Sequence, residues 1–211
     1  MTRRWLMILA IAFGSASGAL WLHRQASTGH DWAQAPASLQ GLLWPLPRAV
    51  AAFELLDQHS RPFALEQLRG HWSLLYFGYL QCPDVCPTTL QSLRGMQRSL
   101  ETPVLDGAPL QFLFVSVDPG NDTPERIGPY LQFFGDDFIG LSGDPDQLSA
   151  LANSVGVMYA EHIADDGTRS MDHSTSIVLV DPQGRALAAL PAPHQPDVMA
   201  QQYRALRAWL E

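Results

Sequence analysis

Trp72-Ser73-Leu74-Leu75-Tyr76-Phe77-Gly78-Tyr79 runs directly into Leu80-Gln81-Cys82-Pro83-Asp84-Val85-Cys86-Pro87-Thr88-Thr89-Leu90. The first segment is a nearly unbroken apolar run without polar alternation, which is the pattern of a central strand buried on both faces. Beyond it, Leu90, Leu93, Met96 and Leu100 recur at helical spacing and predict a helix over 88–100. Pro83 and Pro87 stand four apart, and a helix begun at Pro83 would lose a hydrogen bond and clash at Pro87. The regular helix is therefore predicted to begin at Pro87 or Thr88, with Thr88-x-x-Gln91 as a capping box. The only two cysteines of the chain then lie in a loop after a central strand, where ligands bind in open α/β sheets. The helix dipole and the free amides at that end favour thiolate over thiol. Across a three-residue gap the pair can close a disulfide or chelate one soft metal ion. A purely structural staple is the weaker reading, because closing so short a loop stabilises little.

Strand and helix signals alternate on either side of this segment. Phe53–Asp57 and Arg61–Leu65 read as a hairpin turning at Asp57-Gln58-His59-Ser60. Leu110–Val117 reads as a second central strand. Thr123-Pro124-Glu125 opens a helix with Pro at its first position. Phe138–Leu141 is a short strand and Pro145–Val155 a helix. Ser176–Asp181 and Ala186–Leu190 form a late hairpin, and a helix of about fifteen residues from Pro196 ends the chain. The order β-β-β-α-β-α-β-α-β-β-α predicts one α/β domain over 48–211, a mixed sheet with helices on both faces.

Before that domain, Trp5–Leu22 is an uncharged run of eighteen residues, preceded by Arg3-Arg4 and followed by His23-Arg24. As a helix it measures about 27 Å, close to the hydrocarbon thickness of a bilayer. The flanking arginines hold the N-terminus in the cytoplasm and send the rest of the chain across the membrane. Ser15–Ala19 offers a small-residue cleavage stretch. The apolar run continues past it through Leu22, so a retained transmembrane helix over 1–24 is preferred to a cleaved signal peptide. Residues 25–47, rich in Ala, Ser, Gln, Gly and Pro, read as a spacer, within which Leu42-Leu43-Trp44 can dock on the domain. The body of the protein is acidic: from residue 25 onward there are ten arginines against twenty-one Asp and Glu, within a net charge of −8 for the whole chain. Without a basic stripe, nucleic acid is excluded as a partner.

Two thiolates rarely satisfy a metal alone, so a third ligand is sought among the seven histidines. His23 and His30 fall in the anchor and spacer, His59 in a turn, His71 before a strand and His194 in a Pro-rich loop. His162 lies in a polar loop before Asp165-Asp166-Gly167. His173 stands directly before the strand 175–181, which can bring it beside the cysteine loop, and Asp172 can orient its ring.

These blocks carry a resemblance. Cys82-Pro83-Asp84-Val85-Cys86-Pro87-Thr88, then Ser116-Val117-Asp118-Pro119 with Asp122-Thr123-Pro124-Glu125, then Asp172-His173-Ser174 before Val180-Asp181-Pro182-x-Gly184, resemble the Sco/SenC family in order and spacing. The resemblance implies a thioredoxin-like fold and one copper ion, Cu(I) or Cu(II), held by Cys82, Cys86 and His173. It also implies a role in assembling the binuclear copper centre of cytochrome c oxidase from the exported, periplasmic side of the inner membrane. The implied partners are the copper-centre subunit of the oxidase and other copper carriers or thiol–disulfide exchange proteins. The chain departs from the family in one place: Leu80-Gln81 stands where many members have Thr-His before the first cysteine.

The resemblance leaves three functions to weigh. A copper-binding assembly factor, which is not a turnover enzyme, comes first. A thiol–disulfide reductase using Cys82 and Cys86 is the alternative, although such enzymes normally show C-x-x-C. A thiol peroxidase comes last, because Pro83 stands where that family has a threonine. Asp118, Asp122 and Glu125 read as a helix start in preference to a metal set. Asp136, Asp137, Asp144 and Asp146 read as a solvated acidic face.

Overall fold

The computed structural model describes residues 34–101 and 107–210. The transmembrane reading of 1–24 lies outside these residues, and among the described residues no helix is long and apolar enough to cross a membrane.

Ten strands and six helices are described. They are α1 (Ala37–Gln40), β1 (Leu43–Ala49), β2 (Glu54–Asp57), β3 (Pro62–Ala64), α2 (Leu65–Leu68), β4 (Trp72–Gly78), α3 (Val85–Leu100), β5 (Leu110–Ser116), α4 (Pro124–Gln132) and β6 (Phe138–Ser142). They continue with α5 (Pro145–Ser154), β7 (Tyr159–Ile163), β8 (Arg169–His173), β9 (Ile177–Val180), β10 (Arg185–Leu190) and α6 (Pro196–Leu210). Eight strands form one mixed sheet in the order β1-β10-β9-β4-β5-β6-β2-β3, while β7 and β8 pair only with each other. The fold is thioredoxin-like.

β4 is central, and all seven of its residues are buried. It pairs in parallel with β5, from Trp72↔Leu110 to Gly78↔Ser116, and antiparallel with β9. Right-handed crossovers running the same way from β4 to β5 to β6 put α3 and α4 on one face, and the return from β6 toward β9 puts α5 on the other. Two glycines let the helices approach closely. A Cβ on Gly140 would stand 2.1 Å from Ile127 of α4, and one on Gly95 of α3 would stand 2.8 Å from Pro196, at the start of α6. The antiparallel β9 starts at the end of the sheet where β4 leaves it, with Leu75 opposite Val178. That pairing sets residues 173–176 beside the loop that follows Gly78.

Three expectations are corrected. The helix after the cysteine loop begins at Val85, with Asp84 as N-cap and no side-chain cap, so Cys86 and Pro87 lie in its first turn and Thr88-x-x-Gln91 is not a capping box. Pro87 is tolerated there because first-turn amides have no intrahelical acceptor to lose. Part of the stretch read as spacer is structured: Leu43–Ala49 adds an edge strand to β10, and Leu42, Leu43 and Trp44 pack against the core. An edge position accommodates Pro45 and Pro47, which cannot donate to a ladder. The polar loop read around His162 is a β-hairpin, β7–β8, whose strands are mostly exposed and so show no hydrophobic period.

Candidate metal centre

The site forms where α3 starts over the carboxyl end of β4. Gly78 ends the strand, and a Cβ there would stand 2.8 Å from Cys86 Sγ and 3.0 Å from Phe114, so only glycine lets the helix settle this close. Cys82 sits in the connecting loop, which is closed by its amide donating to the Tyr79 carbonyl (3.2 Å). Both cysteines are free thiols; Cys86 is fully buried and Cys82 nearly so. The Tyr76 hydroxyl, on the same strand face as Gly78, donates to Cys86 Sγ at 3.4 Å.

His173 closes the third side. It is the last residue of β8, and the strand that follows it, β9, begins at Ile177. Its Nε2 stands 3.7 Å from Cys86 Sγ, and its ring meets Tyr76 and Tyr79 edge-on, with centroids 6.2 and 6.1 Å away. The ring is oriented by a contact from Nδ1 to the Ser174 carbonyl (3.0 Å). That carbonyl takes the role expected of Asp172. With Nδ1 protonated, Nε2 presents its lone pair to the thiols.

The donor atoms of Cys82, Cys86 and His173 all lie within 4.8 Å of one another, and no other cluster of at least three His, Cys, Asp or Glu is poised for a metal among the described residues. With bonds of about 2.3 Å to sulfur and 2.0 Å to nitrogen opened to about 120°, a trigonal ion places S and N about 3.7 Å apart. The observed separation fits. Two thiolates and an imidazole suit a soft or borderline ion. Burial pushes the Cys86 thiol up to about 12, outweighing the hydrogen bond from Tyr76, which pulls it down. The expected thiolate bias of the helix end is thus overridden at Cys86. Its proton has to leave as metal enters.

The other candidates are absorbed structurally. Asp118 and Asp122 are buried and hydrogen-bonded, while Glu125 lies in the exposed first turn of α4. Asp122 Oδ2 accepts from the Leu80 amide (3.0 Å) and the Ser116 hydroxyl (2.7 Å), which ties down the loop that carries Cys82. Asp144, read as part of a solvated face, caps α5 by accepting from the amides of Asp146 and Gln147. His162 is exposed on β7, and His194 Nε2 contacts the Thr175 carbonyl (3.0 Å). Tyr76 is the site residue least legible beforehand, since an apolar strand marks it simply as core.

Comparison with known proteins follows the same geometry. The SCO1/SenC family model matches residues 45–208. A Stutzerimonas stutzeri protein provisionally named as copper-binding is 38% identical over 152 residues, which is 72% of this chain and 74% of that protein. An SCO2-like protein of Rickettsia prowazekii is 38% identical over 135 residues, 63% of this chain and 64% of its own length. Among solved structures, copper-bound ScoI of Arabidopsis thaliana superposes with a TM-score of 0.69 at 28% identity, covering 76% of this chain and 99% of that one. With the cysteine pair and the distant histidine converging on one point, and the match running through nearly the whole described domain, this chain belongs to the SCO1/SenC family.

Proposed function

We propose that the protein binds one copper ion through Cys82, Cys86 and His173 and supplies it to the binuclear copper centre of cytochrome c oxidase. The observation that carries this reading is the convergence of the three donors within 4.8 Å. Thiolates select Cu(I), and imidazole accommodates both oxidation states, so the set suits an ion that changes valence. Three ligands leave an approach open to a recipient's own ligands, as a carrier requires and a structural site avoids. Proteins of this family are associated with copper delivery to cytochrome c oxidase. The copper-centre subunit of the oxidase is the proposed recipient. Residues 5–22 would tether the domain to the inner membrane on its exported side, with the remaining part of 25–47 as the spacer.

The protein's own residues hold the cargo in a definite way. The Tyr76 hydroxyl supplies a hydrogen bond to Cys86 Sγ that favours its charged form on loading. The Ser174 carbonyl fixes which imidazole nitrogen faces the ion. Tyr76 and Tyr79 flank the ring edge-on.

The alternative, a thiol–disulfide reductase, is supported by two free thiols side by side. An attacking thiol needs access and thiolate character, and Cys86 has neither, being fully buried with its proton held on by burial, so a reductase would have to attack through Cys82, itself nearly fully buried. The test is anaerobic Cu(I) titration of the reduced full chain in detergent, comparing wild type with Cys82→Ser, Cys86→Ser and His173→Ala. One ion per chain is expected, lost in both serine variants and weakened in His173→Ala. Weak binding indifferent to His173, together with rapid thiol exchange, would overturn the carrier reading in favour of the reductase.

A further inference from the structure

His173 reaches the cysteines from a hairpin that shares no backbone ladder with the main sheet. Its position therefore depends on the short link to β9 and on side chains. In β8, residues 169, 171 and 173 share one face by strand alternation. All three engage the body of the protein: Arg169 meets Asp118, Met171 is buried in the core, and His173 meets Cys86.

The Arg169 contact is the charged and directional one. Its guanidinium grips Asp118 with two parallel bonds, Nη1 to Oδ2 at 2.7 Å and Nη2 to Oδ1 at 2.9 Å. This fork geometry fixes orientation as well as distance. The same guanidinium bonds Glu161 on β7, so both strands of the hairpin are held. Asp118 is itself immobile. It is 3% exposed, Asn121 Nδ2 donates to both of its oxygens, and its amide donates to the buried Ser116 hydroxyl. That hydroxyl in turn donates to Asp122, whose other bond holds the Leu80 amide of the cysteine loop. The end of β5 thus carries one polar cluster with two outputs, one to the loop of Cys82 and one to the strand of His173.

We propose that Asp118 and Arg169 are positioning residues for copper: they set the reach of His173 toward the two cysteines without touching the ion. The inference rests on the copper-binding reading above. Without that grip the Arg169 end of β8 keeps only its ladder to the exposed β7 and the buried Met171, and the ligand four residues from Arg169 loses part of its support.

The experiment is a double-mutant cycle read by Cu(I) affinity on the reduced full chain. Arg169→Met and Asp118→Asn should each weaken binding about 10-fold, as the loss of a ligand's supporting partner typically does. In a His173→Ala background the same changes should add less than about 2-fold, because the group they position is gone. Arg169→Lys, which keeps the charge but not the fork, should fall between wild type and Arg169→Met. In the Cu(II) form, the imidazole nitrogen splitting in the electron paramagnetic resonance spectrum should weaken while the thiolate-to-copper absorption persists. Equal weakening in both His173 backgrounds, or unchanged affinity, overturns the positioning role. A wild-type chain that binds no copper, or binds it without His173, sinks the site reading as well, so the wild-type titration tells the two failures apart.

Discussion

The two arms of the metal centre are built in opposite ways. The cysteine arm grows out of β4, a strand buried along its whole length between two parallel or antiparallel neighbours, and its second thiol is sealed under the first turn of α3. The histidine arm is a two-stranded hairpin outside the main sheet, with β7 exposed at four of its five positions. Close packing holds the first arm; a short set of polar contacts and one buried methionine hold the second. The difference suits a carrier. On the proposed carrier reading, a firmly placed thiol pair would keep hold of the cargo, and the ligand on the lighter element would be the one withdrawn to free it.

If the cysteine arm has no slack, the smallest addition to it should have the largest effect. Gly78→Ala inserts a Cβ at 2.8 Å from Cys86 Sγ and 3.0 Å from Phe114, between a buried strand and the buried cysteine of the first helix turn. Both neighbours are fully buried side chains with little room to move aside. The expected cost is about 1–3 kcal/mol of stability, as for overpacked cores generally, with copper affinity falling alongside. Urea unfolding and Cu(I) titration of the same sample check both. A variant with native stability and native affinity would show that this arm yields, and the contrast between the arms would fail.

The histidine arm should respond to acid instead. Burial alone would raise the Asp118 carboxyl, but hydrogen bonds from Arg169 and Asn121 hold it below the usual carboxylate range. A folded value below the unfolded one, about 3.9 for Asp, gives a contribution that is complete above that pH. It is lost as pH falls through the folded value. The stability gap between wild type and Asp118→Asn should therefore be level above about pH 4 and close below it. Asp122 has the opposite sign: burial raises its carboxyl above the unfolded value, so its contribution grows on acidification. Urea midpoints measured through the acid range separate the two, and a gap for Asp118→Asn that ignores pH would remove the ion pair from the account.

The same contrast governs how much was legible in the sequence. The cysteine arm announces itself, because an unbroken apolar run followed by two cysteines and a helical period leaves few other arrangements. The hairpin does not. Tyr159–Ile163 and Arg169–His173 are mostly solvated on at least one face, so neither a period of two nor a buried run marks them as strands. His173 stands out only because it lies directly before an apolar strand whose entry can fall beside the cysteine loop, and its place among the ligands comes from the resemblance to the Sco/SenC family. Arg169, by contrast, reads as one more solvated arginine until the fold brings it onto Asp118, fifty-one residues earlier in the chain. Pro45 and Pro47 likewise hide β1, since an edge strand accepts prolines that a central one rejects.

The smallest effect is expected at Pro87, where the sequence rule and the structure part. As an interior residue it would break α3, and its removal would then stabilise the helix by roughly 3 kcal/mol. In the structure the helix begins at Val85, so Pro87 is its third residue. An amide at that position has no carbonyl four residues back within the helix, and the fixed φ of proline is already helical. Pro87→Ala should therefore change stability by less than about 1 kcal/mol and leave Cu(I) affinity at the wild-type value. A gain approaching 3 kcal/mol would mean that the helix pays an interior penalty at Pro87. Cys86 would then sit in a strained turn, and the rigidity attributed to the cysteine arm would come from that strain and not from packing.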